Sequence, residues 1–513
     1  MTSKVTSIGL KGLEGYKVSV EVRTMQGSES FVIVGLPDAS VKESKERVTA
    51  ALHGLGYSLV NQKVIINLSP AELKKTGPLY DLSMALGVLL NMKEITVRSL
   101  ENTAFLGALS LDGGVRAVEG MLPAVLATKK VGVEKVYMPF DEELPLLEID
   151  GLQIVYVSSL DEVLQHLSGQ NILPFFPQPR KEEQDHTDYI DFHQIIGHSY
   201  AKRALEVAAA GEHHLFMTGP PGCGKSMLAE SFPSILPPLT KDAQLEVMSL
   251  YQLSTSMSRY SSQPPFRHPH HSSSGVSIIG GGQHPKPGEI SLAHRGVLFL
   301  DEIAEFTKKT LDMLRQPLER GDITISRAHS TLTYPATFIL IGAMNPCPCG
   351  YLGSLTHYCT CTPKQIIAYQ NRLSGPIRDR FDIFLSLTPV QLKDRVHAEK
   401  EGSLSVQRRV KEARERQYDR YSEEVCNGRV DYQRLLKNSP DLEEHLPFIH
   451  KLSSKQHWSN RMQVKVLRLA RTIADLDDSV KVIEQHMWEA VKLHRRPQSE
   501  KHHGARVIGE SLT

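Results

Sequence analysis

Hydrophobic and polar residues follow two rhythms near the N-terminus, one typical of strands and the other of helices. Strand-like runs occupy residues 18–22, 31–35 and 63–68. Residues 41–55 and 80–90 instead carry apolar positions at helical spacing. Strands that alternate with helices in this way predict an α/β domain over residues 1–170.

The same rhythms return further along the chain after an interruption. Residues 171–188 combine three prolines with a run of charges and carry no apolar period, so we expect an exposed linker there. A second α/β pattern begins at residue 189 and ends near 390. Residues 391–513 are rich in amphipathic helical stretches and are predicted to form a helical C-terminal domain.

The composition restricts the class of protein. Hydrophobic residues make up 40% and charged residues 23%, as in soluble globular proteins. Lys plus Arg number 59 against 58 Asp plus Glu, so a uniformly basic nucleic-acid coat is excluded and any polyanion contact must be local. We find neither a long uninterrupted apolar run nor the apolar core of a signal peptide, and we expect a cytoplasmic protein without a membrane span.

A glycine-rich segment between a strand-like run and a helix-like run supplies the first chemical motif. It matches the pattern G-x-x-x-x-G-K-[ST] with Gly219, Pro220, Pro221, Gly222, Cys223, Gly224, Lys225 and Ser226. Glycines let backbone N–H groups turn inward around phosphates, and the following helix N-terminus adds partial positive charge. In this pattern Lys225 reaches the β- and γ-phosphates and Ser226 binds Mg²⁺, so the segment predicts a site for ATP and Mg²⁺.

Polar residues follow two further apolar runs. Residues 297–300 precede Asp301 and Glu302 directly. We predict that Asp301 binds Mg²⁺ through water and that Glu302 polarises the attacking water; the alternative is that both acids cap the next helix. The apolar run 337–344 ends at Asn345, whose amide can orient water beside a γ-phosphate. An Asp-Glu pair with a strand-end Asn separates this chain from kinases and small GTPases.

Several other segments resemble one known family. They are residues 191–197, 201–206, 265–272, 280–282, 287–294 and 315–319. Together with the nucleotide motifs they resemble the magnesium-chelatase-like AAA+ ATPases of the YifB/ComM group over nearly the whole chain. The resemblance implies an α/β fold class with a Lon-protease-like N-terminal domain, a P-loop AAA+ core and a C-terminal helical lid. It also implies a homo-oligomeric ring, a hexamer, with ATP between subunits.

Two arginines gain a predicted role from this resemblance. Residues 374–382 resemble the family's arginine-finger segment, in which Arg380 is the best match and Arg378 an alternative. The finger would stabilise charge on the γ-phosphate of a neighbouring subunit. Arg461 resembles the second sensor, which would contact the phosphate of its own subunit. For each arginine the alternative is an ordinary surface ion pair.

Four of the six cysteines lie close together in the loop 347–361. They are Cys347, Cys349, Cys359 and Cys361. Four thiolates can bind Zn²⁺ tetrahedrally, although the one-residue gaps here are shorter than the usual C-x-x-C spacing. We favour zinc, with His357 as a spare ligand; the alternative is a set of reduced thiols packed as small apolar groups.

An insert at residues 251–296 is rich in Gly, Ser and Pro and carries four Lys or Arg against one acid. We expect that it packs no core and that it contacts a DNA phosphate backbone through Arg267 and Lys286. Arg327, in a predicted hairpin, is a further candidate, and a solvated surface charge is its equal alternative. Three histidines are interpreted as neutral surface residues rather than metal ligands: His268, His270 and His271.

Segments of the N-terminal domain, residues 75–81 and 107–113, resemble the Lon-type protease fold. Where peptidases of that fold use a serine and a lysine, this chain has Leu79 and Leu122. Neither leucine can attack a carbonyl or accept a proton, so we do not expect peptidase activity. The domain is predicted to serve in assembly or binding.

The resemblance implies an ATP-driven ring motor that acts on single-stranded or branched DNA, with a branch-migration or helicase role in natural transformation and recombination. ATP hydrolysis follows from the residues, whereas DNA follows mainly from the resemblance and the basic insert. Two alternatives stay open: a chelatase-like motor for metal insertion and, less favoured, a Lon-like proteolytic machine.

Overall fold

The computed structural model describes residues 2–95, 97, 100–142, 144, 147–170, 189–254, 261–282, 285–327, 330–354, 357–390 and 401–495, with only the backbone for Arg327 and Ser330. The predicted linker, 171–188, lies outside the described residues, as do both ends of the predicted lid. The described residues fall into two compact units. The first comprises those within 1–185, 244–261 and 326–334, and the second comprises the rest.

The first unit contains a mixed sheet and the helices that cover it. Its strands are β1 (Ser3–Lys11), β2 (Glu14–Gln26), β3 (Ser30–Val34), β4 (Gln62–Ser69), β5 (Thr103–Phe105), β6 (Ala108–Leu109), β7 (Val115–Arg116), β8 (Lys135–Met138) and β9 (Gln153–Tyr156). Its helices are α1 (Ala39–Gly54), α2 (Asp81–Met92), α3 (Met121–Lys130) and α4 (Leu160–Leu167). The sheet order is β3-β4-β2-β1-β5-β8-β9, antiparallel at β4-β2-β1 and parallel elsewhere.

Local sequence explains these elements. Val18, Val20 and Val22 alternate with more exposed residues along β2 and are fully buried, since successive side chains of a strand face opposite sides. Helix α1 begins after Asp38, whose carboxylate accepts the N–H of Val41 at 2.8 Å. The strands predicted at 18–22, 31–35 and 63–68 and the two predicted helices are confirmed.

Two short stretches from the middle of the chain pack with the first unit, although the sequence pattern assigned them to the second domain. They lie within 244–261 and 326–334. Met248 is buried in the apolar cluster that contains Leu122, and the N–H of Leu122 donates to the side-chain oxygen of Gln252 at 2.9 Å. Contacts of this kind join residues far apart in the chain, so local periodicity does not reveal them.

The second unit carries the remaining elements. Its strands, with the hairpin β15–β16 that spans both units, are β10 (Leu215–Thr218), β11 (Phe266–Arg267), β12 (Gly280–Gly281), β13 (Lys286–Pro287), β14 (Val297–Leu300), β15 (Asp322–Arg327), β16 (Ser330–Pro335), β17 (Ile339–Met344) and β18 (Ile383–Ser386). Helices of its core are α5 (Ser199–Gly211), α6 (Lys225–Ser231), α8 (Gly275–Ile279), α9 (Glu289–Leu292), α10 (Lys308–Met313), α11 (Arg315–Arg320), α12 (Pro363–Gln370) and α13 (Gly375–Arg378). Helix α7 (Lys241–Gln252) begins in this unit, and its residues from 244 onward belong to the first unit. C-terminal helices are α14 (Ser403–Tyr421), α15 (Tyr432–Asn438), α16 (Leu446–Gln456), α17 (Asn460–Leu476) and α18 (Glu484–His494).

A parallel sheet organises the second unit. Its strand order is β11-β14-β17-β10-β18, and all neighbouring pairs are parallel. Strands β14 and β17 are buried along their whole length, which explains their unbroken apolar sequences. Because the carboxyl ends of parallel strands lie at one edge, the loops after β10, β14 and β17 meet there.

The C-terminal helices pack onto this sheet through a common apolar cluster. The cluster contains Leu215, Ile341 and Leu385 of the sheet together with Val410 of α14 and Leu469 of α17. This arrangement bears out the fold class, an α/β core with a helical C-terminal region.

The insert after residue 251 packs more of itself into the fold than its composition indicates. Strand β11 pairs with β14 at the edge of the central sheet, and Ile278, Ile290 and Leu292 are buried. The expectation that this segment packs no core is therefore wrong for its described residues. Its apolar side chains are few, but both short helices bury some of them: Ile278 in α8, and Ile290 and Leu292 in α9.

Candidate nucleotide-binding site

The glycine-rich segment forms the loop between β10 and α6. Gly222 and Gly224 have φ values of +75° and +87°, which side chains with a Cβ rarely adopt. A Cβ on Gly219 would lie 2.7 Å from the carbonyl oxygen of Leu387, so only glycine fits where the loop passes the end of β18. Cys223 is part of this loop, and burial raises the pKa of its thiol, which therefore stays neutral.

Lys225 opens α6 and points back into the loop. Its buried ammonium group donates to the carbonyl oxygens of Gly219 at 2.7 Å and Pro220 at 3.0 Å, and to the side-chain oxygen of Asn345 at 3.1 Å. Asn345 follows β17, the neighbour of β10 in the sheet. A buried cation held by neutral oxygens in a glycine-rich loop forms a positive site suited to a phosphate anion.

Ser226 and Asp301 are joined by a hydrogen bond in which the hydroxyl donates to the carboxylate at 2.9 Å. Two oxygen donors, one from α6 and one from the end of β14, thus lie side by side next to the phosphate loop. Magnesium in proteins is bound by one or two such oxygens together with water and phosphate. The residues present therefore fit a magnesium ion that accompanies a nucleotide.

Glu302 is held by an unusual backbone. Its φ of +47° lies in the left-handed region, which costs a residue with a side chain roughly 1–2 kcal/mol. The N–H of Glu302 donates to the carboxylate of Asp301 at 2.8 Å, and the Glu302 side chain remains half exposed. Backbone strain of this kind persists where the surrounding structure enforces it and is common at functional sites. The turn separates the two acids, so that Asp301 faces Ser226 and Glu302 faces outward.

His271 of the insert lies next to this carboxylate, with 3.6 Å between its Nδ1 atom and Oε2 of Glu302. The ring of His270 lies 4.1 Å from that of His271 and is tilted by 34° against it. Sequence reasoning treated both as surface histidines and missed the contact with Glu302. The signal that could have found it was the run of histidines in an insert that directly precedes the strand carrying the acids.

The predicted arginines meet at one carboxylate. Arg380 forms an ion pair with Glu319 of α11, and Arg461 lies 3.9 Å from the same Glu319 oxygen. Arg378, the alternative finger, donates to the carbonyl oxygen of Gln370 at 2.6 Å. The structure thus brings Arg380 and Arg461 together at Glu319, whereas Arg378 lies apart from them and contacts the backbone of Gln370.

A buried ionic group supports the Arg380 segment. Lys465 of α17 lies 3.0 Å from the carboxylate of Asp382, and the N–H of His214 donates to that carboxylate at 2.9 Å. Lys465, together with the backbone N–H of His214, holds the pKa of Asp382 far below its usual range despite its burial. Burial lowers the pKa of His213 to about 4 and that of His214 to about 3, so both imidazoles are neutral at physiological pH.

The four cysteines of the loop after β17 converge. Sγ separations are 3.4 Å for Cys347–Cys349, 3.7 Å for Cys347–Cys359 and 3.6 Å for Cys349–Cys359, and all four sulfurs lie within 4.8 Å of one another. Cys361 completes the group and accepts the N–H of Cys349 at 3.4 Å. His357, the predicted spare ligand, stacks on Tyr351 at 4.7 Å.

The predicted DNA contacts are less prominent in the structure. Arg267 forms a two-pronged ion pair with Glu289, at 2.6 and 2.7 Å, and both side chains are partly buried. Lys286 lies on β13 opposite Gly281. The side chain of Arg327 lies outside the part that the structure describes. Their contact with DNA therefore stays a prediction.

Comparison with known proteins identifies the family. Residues 191–395 match the family described as magnesium chelatase, subunit ChlI; residues 20–142 match subunit ChlI of Mg-chelatase, and residues 400–494 match its C-terminal family. The chain is 38% identical to the uncharacterized protein YifB of Escherichia coli (strain K12), over 94% of each chain. It is also 38% identical to the competence protein ComM of Haemophilus influenzae, over 94% of this chain and 95% of that protein. The chain belongs to the YifB/ComM family of magnesium-chelatase-type AAA+ proteins.

The Lon-like character of the fold has support of its own. The YifB/ComM-type chain is 28% identical to Lon protease 2 of Bacillus subtilis in an alignment of 167 positions that covers 29% of this chain and 30% of that protease. Leu79 and Leu122 both lie in one buried apolar cluster of the first unit. Among the described residues, no helix is both long and apolar enough to cross a membrane.

Proposed function

We propose that this YifB/ComM family member is an ATP-hydrolysing AAA+ motor that acts on DNA. The observation that carries the ATPase part is the convergence of Lys225, Ser226, Asp301 and Asn345 through direct hydrogen bonds at one edge of the parallel sheet. Ligands of open α/β sheets bind at that edge.

Each residue has a definite part in the proposed reaction. Lys225 binds the terminal phosphates, and Ser226 and Asp301 hold Mg²⁺, which supplies positive charge to the phosphate oxygens when bound. Glu302 lies beside this pair and accepts a proton from the attacking water. Asn345, which shares a hydrogen bond with Lys225, orients that water against the γ-phosphate.

We propose that the subunits form a ring, a hexamer, in which Arg380 reaches the nucleotide of a neighbour. Proteins of the AAA+ type commonly assemble in this way. Arg380 lies in the short segment between α13 and β18, where it is held by Glu319. Charge that develops on a γ-phosphate needs such a cation, and a ring interface can supply it.

The DNA part rests on the relatives and on the basic insert. One relative is named a competence protein. We propose single-stranded or branched DNA as the substrate and branch migration or unwinding as the outcome, in transformation or recombination. We propose that Lys286 and Arg327 contact phosphates and that Arg267 does so only after Glu289 releases it. The first unit then serves assembly or binding.

The test measures ATP turnover and DNA affinity of the full chain at several salt concentrations. We expect branched or single-stranded DNA to raise turnover. Lys286→Ala with Arg327→Ala should weaken binding to all DNA sequences alike, and each lost phosphate contact should reduce the slope of log affinity against log salt by roughly 0.7–0.9. If DNA does not change ATP turnover and no salt-dependent DNA binding is found, the proposal that DNA is the substrate is wrong, whereas the proposed ATPase activity is unaffected.

Arg267 needs its own control because it neutralises Glu289. Arg267→Ala alone would leave an unpaired carboxylate that repels DNA, whereas Arg267→Ala with Glu289→Gln removes both charges. We expect the double variant to bind DNA better than the single variant. Equal binding by both would exclude any effect of the Glu289 charge on the DNA path.

The family's name favours a second candidate, a motor for metal insertion into a porphyrin. Matches to the chelatase subunit cover the core and both flanking regions. Such a motor would be stimulated by partner chelatase subunits and would show no salt-sensitive DNA affinity. The same turnover assay, run with those partners in place of DNA, distinguishes the two.

A further inference from the structure

The four sulfurs of the loop between β17 and α12 have the spacing of a metal site. A disulfide holds its sulfurs about 2.05 Å apart, far closer than the 3.4–3.7 Å found here. Four sulfurs placed tetrahedrally at about 2.3 Å from a zinc ion lie roughly 3.8 Å from one another. Among the described residues this is also the one group of three or more His, Cys, Asp or Glu whose ligand atoms cluster in this way.

Backbone N–H groups support the sulfurs. The N–H of Leu352 donates to Sγ of Cys347 at 3.3 Å, and that of Cys349 donates to Sγ of Cys361 at 3.4 Å. Groups that hydrogen-bond to metal ligands orient them and stabilise their charged form. Packing as apolar groups does not explain this arrangement, because Cys349, Cys359 and Cys361 are each partly exposed.

The loop is anchored to the nucleotide site on both sides. Cys347 follows Asn345 after a single residue. Gly350 lies against the phosphate loop so closely that a Cβ there would be 2.8 Å from the Pro221 ring. Helix α12 begins directly after Cys361 with Thr362 and Gln365 capping each other. At its far end, Gln370 donates to the carbonyl oxygen of Pro346 at 3.1 Å.

We propose that Cys347, Cys349, Cys359 and Cys361 bind one Zn²⁺, and that this centre fixes the loop so that Asn345 and the phosphate loop keep their places. An all-sulfur tetrahedral set selects zinc or iron, and it rejects magnesium, which needs oxygen ligands. Four protein ligands leave no open position, so the role is structural rather than catalytic.

Metal analysis tests the first half and requires no nucleotide assay. The full chain, purified without chelator, should contain about one zinc per chain. Cys359→Ser with Cys361→Ser should lose it, whereas Cys426→Ser, which changes a buried thiol outside the group, should retain it. Circular dichroism checks that the variants fold. Replacement of the zinc by cobalt should give the visible absorption of a tetrahedral thiolate site.

Three results would overturn the zinc assignment. They are a folded wild-type chain that binds no zinc even when supplied with it, a disulfide within the group found by mass spectrometry, and stoichiometric iron in place of zinc. None of these depends on whether the chain hydrolyses ATP.

The second half, the effect on the nucleotide site, rests on the proposed ATPase function. Gly350→Ala tests it without touching a ligand: it should keep the zinc but push against Pro221, and we expect nucleotide affinity to fall severalfold. The matched control Gly353→Ala lies in the same loop with a similar φ of +78°, and its Cβ would meet no neighbour. Equal nucleotide affinity in the two variants would refute the coupling, while zinc bound without any ATP turnover would count against the function and not against the metal.

Discussion

Arg380 and Arg461 contact the same carboxylate, that of Glu319. Arg380 follows α13 and Arg461 lies in the first turn of α17, so two elements distant in the chain meet at this point. The family resemblance assigns them to different nucleotides, Arg380 to the neighbour's and Arg461 to its own. Because both arginines lie at Glu319, they occupy the same part of the subunit. If Arg380 reaches the nucleotide of the neighbouring subunit, we expect Arg461 to contact the phosphate of that same nucleotide.

Arg380→Ala should leave ATP binding in place and block hydrolysis, because charge on the γ-phosphate loses its partner. A mixture with Glu302→Gln should recover part of the turnover, since a mixed ring pairs an intact Arg380 with an intact Glu302. Phosphate release is measured over a series of ratios at constant total protein. No recovery at any ratio would argue that Arg380 acts within its own subunit.

The same mixing experiment with Arg461→Ala decides where the second arginine acts. If Arg461 served its own subunit, every site in the mixture would lack either Glu302 or Arg461 and turnover would stay absent. We expect recovery instead. Arg434→Ala, which removes a lid arginine paired with Glu423 at 2.8 Å, is the control and should turn over ATP without any mixing.

Lys225 and Glu302 should separate binding from chemistry. Lys225→Ala removes a buried cation from the phosphate loop, and truncation of such a charge costs about 2–5 kcal/mol, which is roughly thirtyfold or more in ATP affinity. Glu302→Gln should bind ATP normally and hydrolyse it at least a hundredfold more slowly, as expected when proton transfer is lost.

Controls for this pair come from exposed residues nearby. Lys241→Ala changes an exposed lysine. Glu305→Gln changes an exposed acid that forms an ion pair with Arg372, at 2.7 Å, and not with the residues around Asp301. Both should keep ATP affinity and turnover. Normal turnover in Glu302→Gln, measured as phosphate release, would remove Glu302 from the catalytic role.

Local sequence was enough to predict the strands and loops of the nucleotide site. Buried parallel strands need unbroken apolar runs, and a phosphate loop needs glycine, so both leave a signal within a few residues. The convergence of Lys225 with Asn345 follows once the two strands are neighbours in a parallel sheet. The site residues predicted around Lys225, Asp301 and Asn345 therefore lie together as the motif order implies.

Long-range pairing was not predictable in the same way. Nothing near Arg267 indicates that Glu289 will neutralise it, and nothing near Arg461 indicates Glu319. The expectation for the insert averaged its composition over many residues, whereas single side chains, Ile278 of α8 and Ile290 of α9, are buried and attach it to the fold. Average composition describes solvation, and burial depends on where the few apolar residues fall.

His271 should restrain Glu302. Its imidazole lies 3.6 Å from the carboxylate that we assign to water activation, so it competes with that water. His271→Ala is expected to raise basal ATP turnover severalfold and to reduce the further stimulation by DNA. His268→Ala, which changes an insert histidine whose ring lies 4.5 Å from that of Phe299, is the control. Lower basal turnover in His271→Ala would instead show that the imidazole assists the reaction.

Stability of the second unit should fall as the medium becomes mildly acidic. Burial lowers the pKa of His213 to about 4 and of His214 to about 3, and Nδ1 of His214 accepts the N–H of Leu340 at 3.1 Å, which requires a neutral ring. Below the ordinary histidine pKa of about 6.5, these two histidines bind protons in the unfolded chain but stay neutral in the folded chain. Unfolding is therefore favoured as pH falls from about 6.5 toward 4, by up to roughly 1.4 kcal/mol per pH unit for each histidine.

The pH range of this stability change distinguishes the two histidines from Asp382, the carboxylate next to them. The depressed pKa of Asp382 stabilises the folded state above about pH 3.9, and that contribution is lost only in stronger acid. Urea unfolding can be followed by the fluorescence of Trp458 and Trp488 in the C-terminal helical region. Its midpoint concentration should rise as the pH is raised from 5 to 7.5. His214→Asn keeps an acceptor for the N–H of Leu340, and it should reduce the pH dependence of the unfolding free energy by the equivalent of close to one proton. The exposed control His53→Asn should leave that pH dependence unchanged. An equally steep rise in His214→Asn would mean that other groups carry the pH dependence, because a residue that cannot be protonated cannot contribute to it.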